Sequence, residues 1–262
     1  MSHFTVLVIG DDPEGQLEPY DENTEVEEYD RECSCGERKA MMAAREKVDK
    51  EYKTIEDLRK EFAKKPIKER TEENWRKFIG KYERMEKKFI KEIGINPDPK
   101  CSSCKGTGIY KSTYNPKSKW DWYSEGGRYD GMFILKSTGK KANSGIMKDI
   151  DWKGMEKRNR EEAGKHYDKI MAEVKAGKEP IDMLEFIYGI KTGQTRAEFT
   201  KDCVDQSTFA VVMDGEWYEK GKMGWWAIVT DEMDDKKWRT MWKKMVMGLP
   251  PDTLLTCYDC HI

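Results

Sequence analysis

Two cysteine pairs, and the sequence between them, constrain this chain more than any other feature. Cys33-Ser34-Cys35 stands just before one run of helical periodicity, and Cys101-Ser102-Ser103-Cys104 stands just after a second. From Arg38 to Ala63, apolar side chains recur at Met41, Ala44, Val48, Tyr52, Ile55, Leu58 and Phe62. Gaps of three and four place them on one stripe of a helix. Pro66 breaks that helix. Thr71 is placed to cap the next, whose stripe runs through Trp75, Phe78, Ile79, Tyr82, Met85, Phe89, Ile90 and Ile93 until Gly94, Pro97 and Pro99 end it. Two narrow stripes joined by a short break cover each other best in an antiparallel hairpin, whose two ends meet at its base. All four thiols then converge. Thiolates at this spacing suit tetrahedral Zn²⁺ with a closed shell, a structural ion rather than a catalytic one. The same residues also admit four reduced core cysteines or a redox pair.

The rest of the 262 residues reads as an α+β domain interrupted by this insertion. Phe4 to Ile9 is a buried strand, and residues 11–32 are a loop with at most one helical turn. Strands are predicted at Gly131–Leu135, Thr208–Trp217, Gly224–Thr230 and Thr253–Ile262, with helices over 153–176, 180–189, 194–203 and 234–248, and a loop over 138–149. The order fits a ferredoxin-like antiparallel sheet. Residues 1–32 and 105–262 would form the sheet domain, and 33–104 the zinc-stapled hairpin. Nine Trp, twelve Tyr and eight Phe supply bulky core material, which argues against disorder despite a 37% charged composition. No apolar run reaches a membrane span, and Phe4 to Ile9 is too short for an export signal, so a cytoplasmic location is expected and no membrane partner. The charge is uneven: Asp11 to Glu32 holds eleven acidic residues and one basic, while Arg38 to Lys100 holds twenty basic and thirteen acidic. The bland reading of both is solvated surface.

Two further groups carry possible chemistry. His3 opens the first strand and His261 closes the last, so antiparallel pairing brings these rings together, with Asp259 on the same face. Such a cluster can hold a metal or move a proton. Trp120, Asp121, Trp122 and Tyr123, followed by Gly126, Gly127 and Arg128, offer aromatic faces beside a glycine turn and a cation, which suits a base stacked over an anion. The competing reading is a structural turn with its tryptophans in the core. Phosphate-loop, dinucleotide-fold, nucleophile-elbow and zinc-protease motifs are all missing, which leans against an enzyme. Cys257-Tyr258-Asp259-Cys260-His261 has the spelling of a haem attachment site but lies within a strand.

Three stretches resemble a group of uncharacterised proteins of tailed bacteriophages: Met1 to Gly10, Tyr114 to Tyr123 with Gly126-Gly127-Arg128, and Asp259 to Ile262. Cys101 to Gly108 also resembles one half-site of the DnaJ-type zinc repeat, C-x-x-C-x-G-x-G. The phage resemblance implies a host-cytoplasm setting and an accessory role. The expected function is therefore a zinc-binding protein that engages a host protein or nucleic acid. The alternative is a nucleotide or small-ligand binder, or an enzyme, using Trp120–Arg128 with His3 and His261.

Overall fold

The computed structural model describes residues 2–66, 69–176, 184–191, 193–224 and 228–262. In chain order these form β1 (His3–Ile9), α1 (Pro13–Leu17), β2 (Tyr29–Glu32), α2 (Cys35–Glu51), α3 (Ile55–Phe62), α4 (Glu72–Ile93), β3 (Ile109–Ser112), β4 (Trp122–Glu125), β5 (Phe133–Ile134) and β6 (Lys141–Ala142). There follow β7 (Ser144–Ile146), α5 (Trp152–Lys175), α6 (Leu184–Tyr188), α7 (Arg196–Asp202), β8 (Ala210–Met213), β9 (Glu216–Glu219), β10 (Lys222–Met223), β11 (Val229–Thr230), α8 (Asp235–Val246) and β12 (Leu254–His261). The chain divides into two compact units, Met1–Val26 with Tyr114–Ile262, and Glu27–Thr113. No helix among the described residues is long and apolar enough to cross a membrane.

The first unit is built on a mixed sheet in the order β4-β12-β1-β8-β9, with β7 also pairing β12. Strand β1 pairs antiparallel with β12, His3 opposite His261 and Ile9 opposite Leu255. On its other side β1 runs parallel to β8, Val6 opposite Ala210. An antiparallel ferredoxin-like sheet is therefore not what forms. The chain between Ile9 and Ala210 is long enough to return β8 in the same direction as β1, which a tight turn cannot do. Both faces of β1 are covered, which explains its unbroken apolar run. Leu7 and Ile9 lie with Val211, Leu255 and Cys257 beneath Trp238, Trp242 and Val246 of α8 and Met155 of α5. Phe4, Val6 and Val8 lie on the opposite face with Leu17, Tyr20, Trp120, Tyr258 and Cys260.

Several boundaries differ from expectation for local reasons. Thr208–Trp217 is a β8–β9 hairpin, not one strand, because Asp214 (φ 55°) and Gly215 (φ 74°) form a left-handed two-residue turn. The predicted loop over 138–149 contains β6 and β7, and β7 is held by Leu254 to Thr256 of β12. Of the predicted strand Gly224–Thr230, only Val229–Thr230 forms β11, and Trp225 and Trp226 lie outside the described residues. The predicted helix at 180–189 also lies partly outside them, its described part being α6.

In the second unit the expected helix over Arg38–Ala63 is two helices. The backbone leaves helical geometry at Tyr52 (φ −137°, ψ −98°), and Thr54 caps α3 by accepting from the Asp57 N–H. Helix α4 is capped by Thr71, which accepts from the Asn74 N–H. The side chain of Arg45 meets Glu86 and that of Tyr82 meets Asp49, so α2 and α4 run in opposite directions. Ala44, Val48, Leu58, Ile79, Tyr82 and Phe89 form the core shared by α2, α3 and α4. Residues Tyr29–Glu32, at the end of the acidic stretch expected as loop, instead pair as β2 with β3.

Candidate functional site

The four predicted ligands lie together in the second unit. The Sγ atoms of Cys33, Cys35, Cys101 and Cys104 all fall within 4.8 Å of one another, so the group can hold a metal ion. Cys33 and Cys101 are 3.6 Å apart, Cys35 and Cys104 3.5 Å. An ion about 2.3 Å from each of four tetrahedral sulfurs sets them about 3.8 Å apart. These two separations lie close to that value, and no pair of the four exceeds 4.8 Å.

Local sequence builds the cradle. After Cys104 the chain turns through left-handed conformations at Lys105, Gly106 and Gly108 (φ 49°, 86° and 82°). A Cβ on Gly108 would lie 2.8 Å from Cγ of Pro97, so this position needs glycine for space as well as for conformation. Backbone N–H groups from the Cys101–Cys104 segment and from this turn point at sulfur. Those of Cys104 and Ser103 lower the Cys101 thiol to about 6. At Cys104 burial raises the pKa, and the N–H groups of Gly108 and Gly106 outweigh it, for a net lowering. Asp98 N–H donates to Cys35 Sγ at 3.4 Å. Cys33 receives a lowering N–H from Cys35, but burial and the three neighbouring thiols push it up to about 12. Cys33 N–H also donates to the Gly108 carbonyl at 2.8 Å, which ties the two pairs together through the backbone. An open groove of about 930 Å³ beside the thiols is lined by Arg38, Lys39, Met42, Arg45 and Lys100 among others.

The histidine candidates lie together in the first unit. The His3 and His261 rings are 5.0 Å apart between centroids. His3 Nδ1 lies 2.9 Å from Asp259 Oδ1, and Asp259 Oδ2 accepts the Arg128 N–H at 2.9 Å. His261 Nδ1 lies 2.6 Å from Asp121 Oδ1. Gly127 has φ 50°, and a Cβ there would sit 2.5 Å from Asp259 Oδ2, so the glycine turn closes directly over the carboxylate. Tyr129 Oη donates to the His3 carbonyl at 3.2 Å. Burial, and then the Asp259 charge, raise the Tyr129 hydroxyl pKa, while Arg128 opposes the shift.

The Trp120–Arg128 segment does not act as one surface. Trp120 is buried in the core on the far side of the sheet, with the Tyr123 ring edge-on to it at 4.9 Å. Asp121, Trp122, Gly126, Gly127 and Arg128 belong with the histidines. Within β4, alternation separates Tyr123, opposite Cys260, from Trp122, opposite His261, whereas Trp120 and Asp121 precede the strand and do not follow its alternation. The pairing of His261 with Asp121 spans 140 positions of sequence, and no spacing signal announces it. Cys257 and Cys260 are buried on opposite faces of β12, and burial pushes Cys257 up to about 12 and Cys260 well above its ordinary value, as suits core thiols rather than a haem attachment site. Compared with known proteins, the chain matches no protein-family model, no curated protein and no solved structure.

Proposed function

We propose that Cys33, Cys35, Cys101 and Cys104 hold Zn²⁺ as a structural ion, and that the stapled α2–α4 hairpin is an arm by which a phage accessory protein engages a host protein or nucleic acid. The observation that carries the metal reading is the set of four sulfurs within 4.8 Å, surrounded by backbone N–H donors. Four thiolates leave no open position on the ion, so its contribution is to fix the hairpin base. The surplus of basic residues between Arg38 and Lys100 supports an anionic partner surface, with Arg38, Lys39 and Lys100 beside the thiols as the first contacts.

Elemental analysis of the purified chain tests the metal reading. One zinc per chain is expected, falling to a small fraction in Cys104→Ser. A chain that carries no zinc after expression in zinc-replete medium removes the reading. For the partner, charge reversal of Arg38, Lys39 and Lys100 should weaken salt-sensitive binding to nucleic acid or an acidic protein. Binding that survives both this change and shortening of residues 37–99 assigns the contact elsewhere.

A further inference from the structure

Helix α8 differs from the other long helices in how its exposed charges are matched. In α2, α3, α4 and α5 a basic side chain meets an acid one turn away: Lys50 and Glu46, Lys60 and Glu56, Lys88 and Glu92, Arg160 and Glu156. In α8 no acid follows Asp235, and Asp235 itself turns to Lys220. Lys236, Lys237, Lys243 and Lys244 are all exposed, and none of them meets an acid among the described residues. They lie with Thr240 on the side of the helix away from Trp238, Trp242 and Val246, which are buried in the core. Lys236 and Lys243 are seven positions apart, as are Lys237 and Lys244, so each pair spans about 10.5 Å along the axis.

Helix stability does not explain this face. Lys236 and Lys237 lie in the first turn, where the positive end of the helix dipole repels cations, and the Asp234 cap offsets only part of that. Arg239 and Lys243 repel each other one turn apart. The basic surface also continues off the helix. A groove of about 500 Å³ beside α8 brings Lys153 of α5 and Lys201 of α7 to the side of Lys243. The acids of that groove are already engaged, Glu156 with Arg160, Asp202 with Gln194 and Asp205 with Arg239. Neither Lys153 nor Lys201 meets an acid among the described residues.

We infer that the outer face of α8, with Lys153 and Lys201 beside it, binds the phosphate backbone of double-stranded nucleic acid without reading its sequence. Ammonium groups on flexible stems suit single phosphate contacts, and this face of α8 has no Arg, Asn or Gln to read base edges. It also has no aromatic ring on which an unstacked base could lie, which favours a duplex over a single strand. A protein partner is disfavoured because lysine is depleted from protein interfaces. An anionic membrane is disfavoured because interfacial helices insert an apolar face, and that of α8 is already buried in the core. The inference rests neither on the zinc reading nor on the hairpin arm, because every group it uses lies in the first unit.

The test is fluorescence anisotropy of a short labelled duplex of mixed sequence, titrated with the purified full chain at 50 and 200 mM salt. Affinity is expected to fall about 100-fold between the two, as about four phosphate contacts require. Each lysine removed should flatten the slope of log affinity against log salt by about one. Lys236→Gln with Lys237→Gln, and Lys243→Gln with Lys244→Gln, should therefore each reduce it by about two and weaken binding at 50 mM salt about tenfold or more. All four side chains are exposed, so both variants should keep the melting temperature, and if one does not, the other decides. The same losses are expected in a chain with Arg38, Lys39 and Lys100 reversed, which tells failure of the hairpin reading apart from failure of this one. No binding to the duplex at 50 mM salt, or unchanged binding in the lysine variants, overturns the inference. Tighter binding to a single strand of the same sequence, or to phosphatidylserine vesicles, overturns the choice of a duplex.

Discussion

Asp259 is 1% exposed, and its two oxygens hold one ring nitrogen and one backbone N–H. Removing the carboxylate strands both donors in a site closed by the Gly127 turn. Asp259→Ala should therefore lower stability by about 2–3 kcal/mol, measured by denaturant unfolding followed at the tryptophans. The cysteines differ from one another just as sharply. In metal-free chain the Cys101 thiolate exists above about pH 6, because two backbone N–H groups favour the charged form. Alkylation by iodoacetamide should thus reach Cys101 first. Its rate should rise as pH passes upward through about 6 and then level off. Cys257, buried and raised to about 12, should stay unlabelled at neutral pH until the chain unfolds. Mass spectrometry of the labelled peptides checks both. Of this chemistry, the ligand residues were legible in the cysteine spacing, but their unequal acidities were not. Those depend on which N–H groups meet which sulfur, Ser103 and Cys104 at Cys101, Gly106 and Gly108 at Cys104, and Cys35 at Cys33.

At the scale of elements, α8 is docked on the sheet by more than apolar contact. Trp238 Nε1 donates to the Thr208 carbonyl at 2.8 Å and Trp242 Nε1 to Thr208 Oγ1 at 3.0 Å, while that hydroxyl donates to the Ala210 carbonyl. Thr208→Val keeps the volume and removes the hydroxyl, leaving the Trp242 N–H buried and unpaired. A loss of about 1–3 kcal/mol is expected, visible as a shifted denaturant midpoint with an unchanged slope. A midpoint that does not move would mean that the indole finds another acceptor. Most elements were readable from periodicity, and the long helices and β1 were clearest because their apolar patterns are long. The misread places are those where one short polar signal outweighs a longer apolar one. Thr54 caps a new helix inside a continuing stripe, and Asp214-Gly215 turns the chain inside a run of alternating residues. Both signals are present in the sequence: a Thr three residues before Asp57, and an Asp-Gly pair between apolar stretches.

At the scale of the whole molecule, the four-cysteine candidate metal site belongs to residues Glu27–Thr113 and the histidine cluster to the remainder. Chelation should therefore act unevenly. If the proposed zinc is bound, peptides from 33–104 should lose amide-exchange protection on chelation, while β1, β8 and β12 keep theirs, as hydrogen exchange with mass spectrometry can measure. Equal loss in both sets would show that the ion's contribution is not confined to the unit that binds it. The sheet order was the least legible feature, since the parallel β1–β8 pair depends on how the chain between Ile9 and Ala210 routes itself, and no local pattern encodes that route. The antiparallel meeting of β1 with β12 was expected from the ferredoxin-like order, and that one adjacency forms although the order as a whole does not. Strand β12 also imposes a temporal order on the nascent chain. It is the partner of β1, β4 and β7, yet the ribosome makes it after all of them. Until residues 254–261 leave the exit tunnel, those three strands expose unsatisfied edges, and in that interval the emerging polypeptide is most open to edge-to-edge association.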